Sequence, residues 1–406
     1  MYLIAAHEGR PGDDPIFALN KEAGERRARG ETIVNATVGA LLDDDGKLAV
    51  LPTAARAVHD VSAAEWAAYA PISGLPEFLR AVEDDVLGRH PRLRECVVSA
   101  ATPGGTGALH HAITNFLEPG QALLTTSFYW GPYQTLADEA DRRIVTFEMF
   151  TRNRGEPTID VGALDRALGA MIAEHRRALI FLNDPCHNPT GYSMTPDEWN
   201  DVIDCVRKHG QHAPIAVLVD IAYADYGAHD FRATLGRFER LLDRAQLLFA
   251  YSASKAFTHY GLRVGAILAC APDRNERAMI GAAFGYSCRG TWSNCTRGGQ
   301  RAVTRLLTDP ELSTVVKRER EELKALLLRR VAAFNGRAKE ARLRHPRYEG
   351  GFFVTVFCDD APAEAARMRE MGVYVVPQKG AVRVALCGVS EAEIPRLIEA
   401  LAPLGD

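Results

Sequence analysis

The chain has no C-x-x-C pair and no ladder of closely spaced cysteines: its eight, at 96, 186, 205, 270, 288, 295, 358 and 387, are scattered over 406 residues. That usage excludes a disulfide scaffold and predicts reduced thiols, mostly in the core. No apolar run approaches the length of a membrane span, and the opening stretch Met1 to Glu8 turns polar too soon for a secretory segment. No membrane partner is expected, and a cytoplasmic location follows by default. There is no basic excess either: the net charge is −4, so nucleic acid is not an expected partner. Metal-ligand spacing is also missing. His110 and His111 are adjacent on a predicted helix and cannot share a face, and Cys186-His187 lacks two further ligands, so no metal site is expected. Internal repeats, low-complexity tracts and long Gly/Ser linkers are absent.

What is present is an apolar fraction of 47% and a charged fraction of 25%, enough for two or three domain units and a buried site for a small molecule. Short runs rich in Val, Ile and Leu alternate with helix-period segments. Strands are predicted at 96–99, 122–125, 143–147, 178–182, 215–219, 247–251 and 266–269. The expected fold is α/β, a large domain with a mostly parallel sheet flanked by helices. Thr195-Pro196-Asp197-Glu198 and Ser390-x-x-Glu393 read as capping boxes that start helices. A long helix is predicted from Glu311 to about Asn335, its run Lys317 to Glu322 a solvated face. Strands near 352–357, 373–376 and 382–386 and helices near 363–371 and at the C-terminus make a smaller α/β unit. We expect a large domain over 46–315 and a small one from 1–45 and 316–406.

Polar residues gather at predicted strand ends, where ligands bind in such sheets: Asn183 to Asn188, Asp220, and Ser252 to Lys255. Lys255 follows an apolar strand in Tyr251-Ser252-Ala253-Ser254-Lys255, with Arg263 just beyond. A desolvated amine there can form a Schiff base with an aldehyde, while two hydroxyls and a guanidinium hold a phosphate. Taken alone, the same run reads as a surface lysine in a serine-rich turn. Thr102-Pro103-Gly104-Gly105-Thr106-Gly107 follows a strand and opens a helix, a form in which free N–H groups and the helix dipole hold an anion. It lacks a third dinucleotide-type glycine, His110 standing there, and has no Gly-Lys-Ser/Thr; the alternative is a plain strand-to-helix turn. Asp220 closes an apolar strand, and a buried carboxylate needs a cation or donors. A protonated pyridine nitrogen would serve, as would a simple helix-capping role. Tyr223 could reach a ring hydroxyl or be core. Asn188-Pro189-Thr190-Gly191 is a turn signal, with a cis peptide among its options. Trp130 can stack on a planar heterocycle or be core. Together these parts suit pyridoxal 5'-phosphate.

In this order the motifs resemble the class I aminotransferases, fold type I of the pyridoxal phosphate enzymes, in the aspartate and aromatic aminotransferase branch. The resemblance spans nearly the whole chain. It is carried by Asp14-Pro15-Ile16, Asn35-x-x-Val38-Gly39, Tyr69-x-x-x-x-Gly74-Leu75-Pro76-Glu77-Phe78, the Gly-rich turn, His187 to Gly191, the lysine segment and Arg383 to Gly388. It implies that Lys255 binds the cofactor as a Schiff base and shuttles the substrate proton in a ping-pong transamination. It also implies that Asp220 pairs the ring nitrogen, Tyr223 and Asn188 hydrogen-bond the ring oxygen, and Trp130 stacks on the ring. Gly105, Thr106, Ser252, Ser254 and Arg263 would surround the phosphate, joined by Tyr69 from a neighbouring subunit of a homodimer with shared active sites. Arg383 would clamp the α-carboxylate of an L-amino acid or 2-oxo acid, Gly39 belongs to the segment that closes over substrate, and Arg289 would reach across the dimer to a side-chain carboxylate. Aspartate or glutamate is therefore the implied substrate.

Two positions depart from the branch, which usually places histidines where this chain has Tyr133 and Asn183; in the branch those histidines support the Asp220 position from behind. The stretch around Arg289 also differs, with Cys295-Thr296-Arg297 in place of prolines. Aromatic amino acid transamination is the next reading, then a lyase or decarboxylase using the same cofactor. A Ser252-x-x-Lys255 acyl hydrolase is remote, since no Lys-Thr-Gly or Ser-Asp-Asn occurs. A non-catalytic, cofactor-binding regulatory domain lacks its expected DNA-binding extension.

Overall fold

The computed structural model describes residues 2–4, 7–12, 14–151 and 156–405. Met1, Ala5 and Ala6 of the opening stretch, and Asp406 at the end of the expected small domain, lie outside the described residues.

The larger of two compact units comprises 49–328 and 346–351. Its sheet has seven strands: β1 Val97–Thr102, β2 Ala122–Thr126, β3 Arg143–Phe147, β4 Ala178–Asn183, β5 Ile215–Asp220, β6 Gln246–Ser252 and β7 Gly265–Cys270. Their order is β1-β7-β6-β5-β4-β2-β3, parallel except for β7, which runs against both β1 and β6. All residues of β4 and β5 are buried. Strands covered on both faces need apolar side chains on both, which is why these segments read as continuous runs rather than alternating ones. Leu179, Phe181, Leu218, Leu248 and Ile267 join one buried cluster with Ala108, Leu109, Ala112 and Ile113 of the helix Gly104–Phe116.

Every predicted strand of this sheet forms, most extending one to three residues beyond the sequence limits. The extensions matter because Asn183, Asp220 and Ser252, polar residues that the hydrophobic pattern leaves outside, become the last paired residues of β4, β5 and β6. Asn183 pairs with Asp220 across β4 and β5, and Asp220 with Ala250 across β5 and β6. Parallel pairing thus aligns three chemically active strand ends on one edge. The Thr195 box forms as read: Thr195 Oγ1 accepts from Glu198 N (3.2 Å) and Glu198 Oε2 accepts from Thr195 N (2.7 Å).

The smaller unit comprises 1–48, 329–345 and 352–406. Its three-stranded antiparallel sheet is formed by Val354–Phe357, Ala381–Val384 and Val376–Gln378, and Val34–Asn35 pairs in parallel with Val373–Tyr374. The single strand expected at 373–376 is therefore corrected to two short ones in different sheets. Alternation of Val and Tyr in the sequence cannot reveal a change of partner. The unit borders fall at 48/49 and 328/329, with 346–351 in the larger unit, where the sequence suggests 45/46 and 315/316. The Ser390 box opens a short 3₁₀ turn ahead of the helix Ile394–Leu401.

Candidate active site

One pocket of the larger unit is lined by Gly105, Thr106, Leu109, Trp130, Asn183, Asn188, Asp220, Ala222, Tyr223, Ser252, Ser254, Lys255 and Arg263. Ten residues assigned to catalysis or cofactor binding from the sequence are among them. Leu109, Asn183 and Ala222 complete the walls.

Its anion-binding end is built by β1, the turn after it and the segment following β6. Gly104 has φ +73°, and a Cβ there would lie 2.6 Å from Arg263 Nη2. On Gly105 a Cβ would come within 3.3 Å of the Ser252 side chain. Glycine is thus needed at Gly104 for backbone conformation and guanidinium approach together. Arg263, itself left-handed at φ 57°, donates from Nη1 to Ser254 Oγ (3.2 Å) and Tyr260 O (3.0 Å) and from Nη2 to Pro103 O (3.3 Å). The helix Gly104–Phe116 has no side-chain cap at its start, leaving its first N–H groups for a ligand. This end fits a phosphate dianion.

At the opposite end Asp220 is buried, its Oδ2 accepting from Tyr133 OH (3.1 Å) and Oδ1 from Ala222 N (3.2 Å). Burial pushes the carboxyl up to about 6, against the downward pull of the Ala222 and Tyr133 hydrogen bonds and of Lys255. The capping role is not the one found, since β5 is followed by a turn. Asn183 Nδ2 donates to Asp220 O (2.9 Å) and its Oδ1 accepts from Asn188 N (2.7 Å), tying the strand end to the turn. That turn contains a cis Asn188–Pro189 bond. Asn188 Nδ2 donates to Tyr223 OH (3.4 Å), while its buried Oδ1 has no hydrogen-bond partner. An unsatisfied buried acceptor facing a pocket is a group that a ligand would satisfy. Trp130 packs edge-on against Tyr133, centroids 5.9 Å apart.

Tyr133 and Asn183 therefore both hold the Asp220 end, directly and from the backbone. Tyr133→Phe is expected to leave Ala222 N as the remaining donor found on the Asp220 carboxylate and to raise that carboxyl further. Pyridoxal phosphate should then bind the cofactor-free protein roughly tenfold more weakly, measured by fluorescence titration. Unchanged affinity would show that the phenol only fills space.

Lys255 lies on the one-turn helix Ala253–Ala256, half-buried, with Nζ 4.8 Å from the centroid of Tyr260 and 5.9 Å from that of Tyr223. The sequence reading missed what holds this helix. Tyr226 OH donates to Lys255 O (3.2 Å) and Arg320 Nη1 to Ala256 O (3.3 Å), satisfying carbonyls that so short a helix leaves open. Arg320 pairs with Asp225 (3.3 Å), which also pairs with Arg232 (2.8 Å). No local motif flags these residues.

Tyr69 and Arg289 do not line the pocket. Tyr69 is 87% exposed. Arg289 is exposed in the last turn of the helix Arg274–Thr291, donating from Nη1 to Ser293 Oγ (2.6 Å). In the smaller unit, Gly39 and Arg383 come together on Phe353. The Arg383 guanidinium lies 4.7 Å over the Phe353 ring and donates from Nη2 to Thr37 O (2.5 Å), and a Cβ on Gly39 would strike the same ring. All eight cysteines are free and buried. Among the described residues one group of metal-type donors gathers elsewhere, Asp165, Cys205 and His209, but Asp165 Oδ1 already accepts from Lys208 and His209, each at 2.8 Å.

Residues 31–401 match the family model for aminotransferase class I and II. The aromatic-amino-acid aminotransferase of Paracoccus denitrificans is 27% identical over 408 residues, 97% of each chain. The aspartate aminotransferase of Pseudomonas aeruginosa is 28% identical over 339 residues, 80% of each. Among solved structures, an aminotransferase from Anaerococcus prevotii superposes with a TM-score of 0.94 at 30% identity, covering 100% of both chains.

Proposed function

Because the chain belongs to the class I and II aminotransferases, pyridoxal phosphate enzymes of which its relatives form the aspartate and aromatic branch, we propose that it transaminates dicarboxylic L-amino acids, aspartate or glutamate, with a 2-oxo acid. The carrying observation is that Lys255, Asp220, Asn188 and the anion-binding turn line one pocket. Bound pyridoxal phosphate supplies an aldehyde carbon that takes up amines and a cationic ring that draws electrons from the substrate Cα.

In this reading Lys255 Nζ would hold the cofactor aldehyde and would serve as the acid and base that takes up and returns the proton at the substrate Cα. The same steps in reverse with a 2-oxo acid complete a ping-pong cycle. Asp220 would hold the ring nitrogen protonated, Asn188 and Tyr223 would hydrogen-bond the ring oxygen, and Trp130 would cover the ring. Gly105, Thr106, Ser252, Ser254 and Arg263 hold the phosphate. Arg383 receives the α-carboxylate through a two-pronged contact, and Gly39 lies in the segment that covers substrate.

Tyr69 and Arg289 act in this proposal from a second copy, in a homodimer. Tyr69, Tyr286 and Met279 expose 87%, 85% and 66% of their surface, which leaves them available to a second copy. No helix among the described residues is long and apolar enough to cross a membrane.

A second reading, aromatic substrates, is favoured by the engagement of Arg289 with Ser293 and by its diverged surroundings. The experiment is to mix the cofactor-loaded protein with L-aspartate or L-phenylalanine alone and follow the cofactor absorbance. Conversion to the pyridoxamine form by aspartate supports the dicarboxylate reading, and Arg289→Leu should then weaken aspartate about 100-fold while sparing phenylalanine. Equal losses would make Arg289 structural, and conversion by phenylalanine alone would transfer the assignment to aromatic substrates.

A further inference from the structure

A second cavity, of ≈ 400 Å³, lies in the larger unit apart from the pocket of Lys255 and shares none of its lining residues. Its volume is in the range of small-ligand sites. Pro185, Met194, Pro196, Trp199 and Phe231 contribute to walls that are mainly apolar. Their backbone comes from the turn after β4, the start of the helix Pro196–His209 and the start of the 3₁₀ helix Phe231–Leu241, which also carries Thr234 and Arg237.

Two arginines line this space, and they differ. Arg347 is neutralised by Glu198 (2.9 Å) and Glu349 (3.4 Å) and stacks over Tyr192 at 4.7 Å. Arg237 donates from Nε to Thr234 O (2.9 Å), and among the described residues no carboxylate lies within 4.0 Å of its guanidinium. Asp184 and Asp197 act on it from farther away, yet burial outweighs them and draws its pKa down. Asp184 is occupied as an acceptor for Met194 N and Trp199 Nε1, each at 2.8 Å. A partly desolvated guanidinium beside apolar walls, without its own counter-ion, is complementary to one anionic group carried on an apolar body.

We propose that this cavity is a binding site for a small monocarboxylate with an aromatic or aliphatic body, its carboxylate on Arg237 and its body between Trp199 and Phe231. The geometry reaches the cofactor pocket through the chain: the turn that supplies Pro185 and Met194 also carries Asn188, and Gly227 and Ala228 follow Tyr223 closely. A ligand there would sit outside the pocket of Lys255 and is not the reacting substrate.

The test uses the cofactor-loaded enzyme, 3-(4-fluorophenyl)propionate as probe, and ¹⁹F NMR titration with the active site saturated by a dicarboxylate. A bound resonance that persists under saturation is expected in the wild type. In Arg237→Gln its affinity should fall at least about tenfold, with the cofactor absorbance and turnover unchanged. Thr234→Trp, which fills the cavity from its wall, should abolish the same resonance. A probe fully displaced by the dicarboxylate, or one bound equally by wild type and both variants, would overturn the proposal. Neither result bears on the transaminase half-reaction, which is read separately from the cofactor band.

Discussion

Lys255→Ala is expected to lower turnover by about 10⁴-fold or more while the protein still folds. The lysine has two tasks in the proposed reaction, attachment of the cofactor and movement of the substrate proton, and no second amine lines the pocket. The folding cost should be small. Lys255 is half-buried and its stacking on Tyr260 contributes on the order of 1 kcal/mol, whereas the helix that carries it is held through main-chain carbonyls by Tyr226 and Arg320. Steady-state rates with a thermal melt decide the matter. A variant with a near-normal rate would refute the whole catalytic assignment.

Asp220→Asn has the second largest expected effect, on rate and on pH dependence. An asparagine cannot hold a buried cation, and loss of one partner of a buried pair costs about 3–5 kcal/mol, so turnover should fall by roughly two to four orders of magnitude. The linkage in the cofactor-free protein has a definite sign. Folding raises the Asp220 carboxyl from 3.8 to about 6, so the folded state holds this proton more tightly than the unfolded chain. That contribution is fully present below pH 4 and is lost as pH rises through 6. A rise of this size corresponds to roughly 3 kcal/mol. Urea unfolding should therefore show Asp220→Asn gaining about 3 kcal/mol on the wild type between pH 4 and pH 7.5. Cofactor should shrink that gain, because its ring cation compensates the wild-type carboxylate alone. A difference that does not change with pH would mean that Asp220 titrates as an ordinary exposed carboxylate.

Much of this site is legible in the chain because its parts lie at the ends of segments with strong patterns. The continuous apolar runs within β4, β5 and β6 mark central strands, and a polar residue closing such a run, as Asp220 does, stands out against it. The glycine turn is visible because a phosphate site needs bare backbone ahead of a helix. The Lys255 run carries an amine and two hydroxyls within a few residues. By contrast Tyr226, Arg320 and Asp225 have ordinary local surroundings. Their contribution arises from contacts across about 30 to 95 positions of sequence, which pattern and spacing do not record.

The sequence by itself determined the α/β class, the seven strands of the large sheet, both capping boxes and the strand-end and glycine-turn positions Gly105, Asp220, Ser252 and Lys255 of one pocket. Each depends on local periodicity, on the backbone needs of glycine and proline, or on a run of adjacent residues. Only the tertiary structure decided that the phenol of Tyr133 donates to Asp220, that Asn183 fastens the strand end to the Asn188 turn, and that Arg237 lines an apolar cavity with no carboxylate among the described residues within ion-pair distance. A side chain's partners, and hence its charge state and its role, are set by which distant segments packing brings against it.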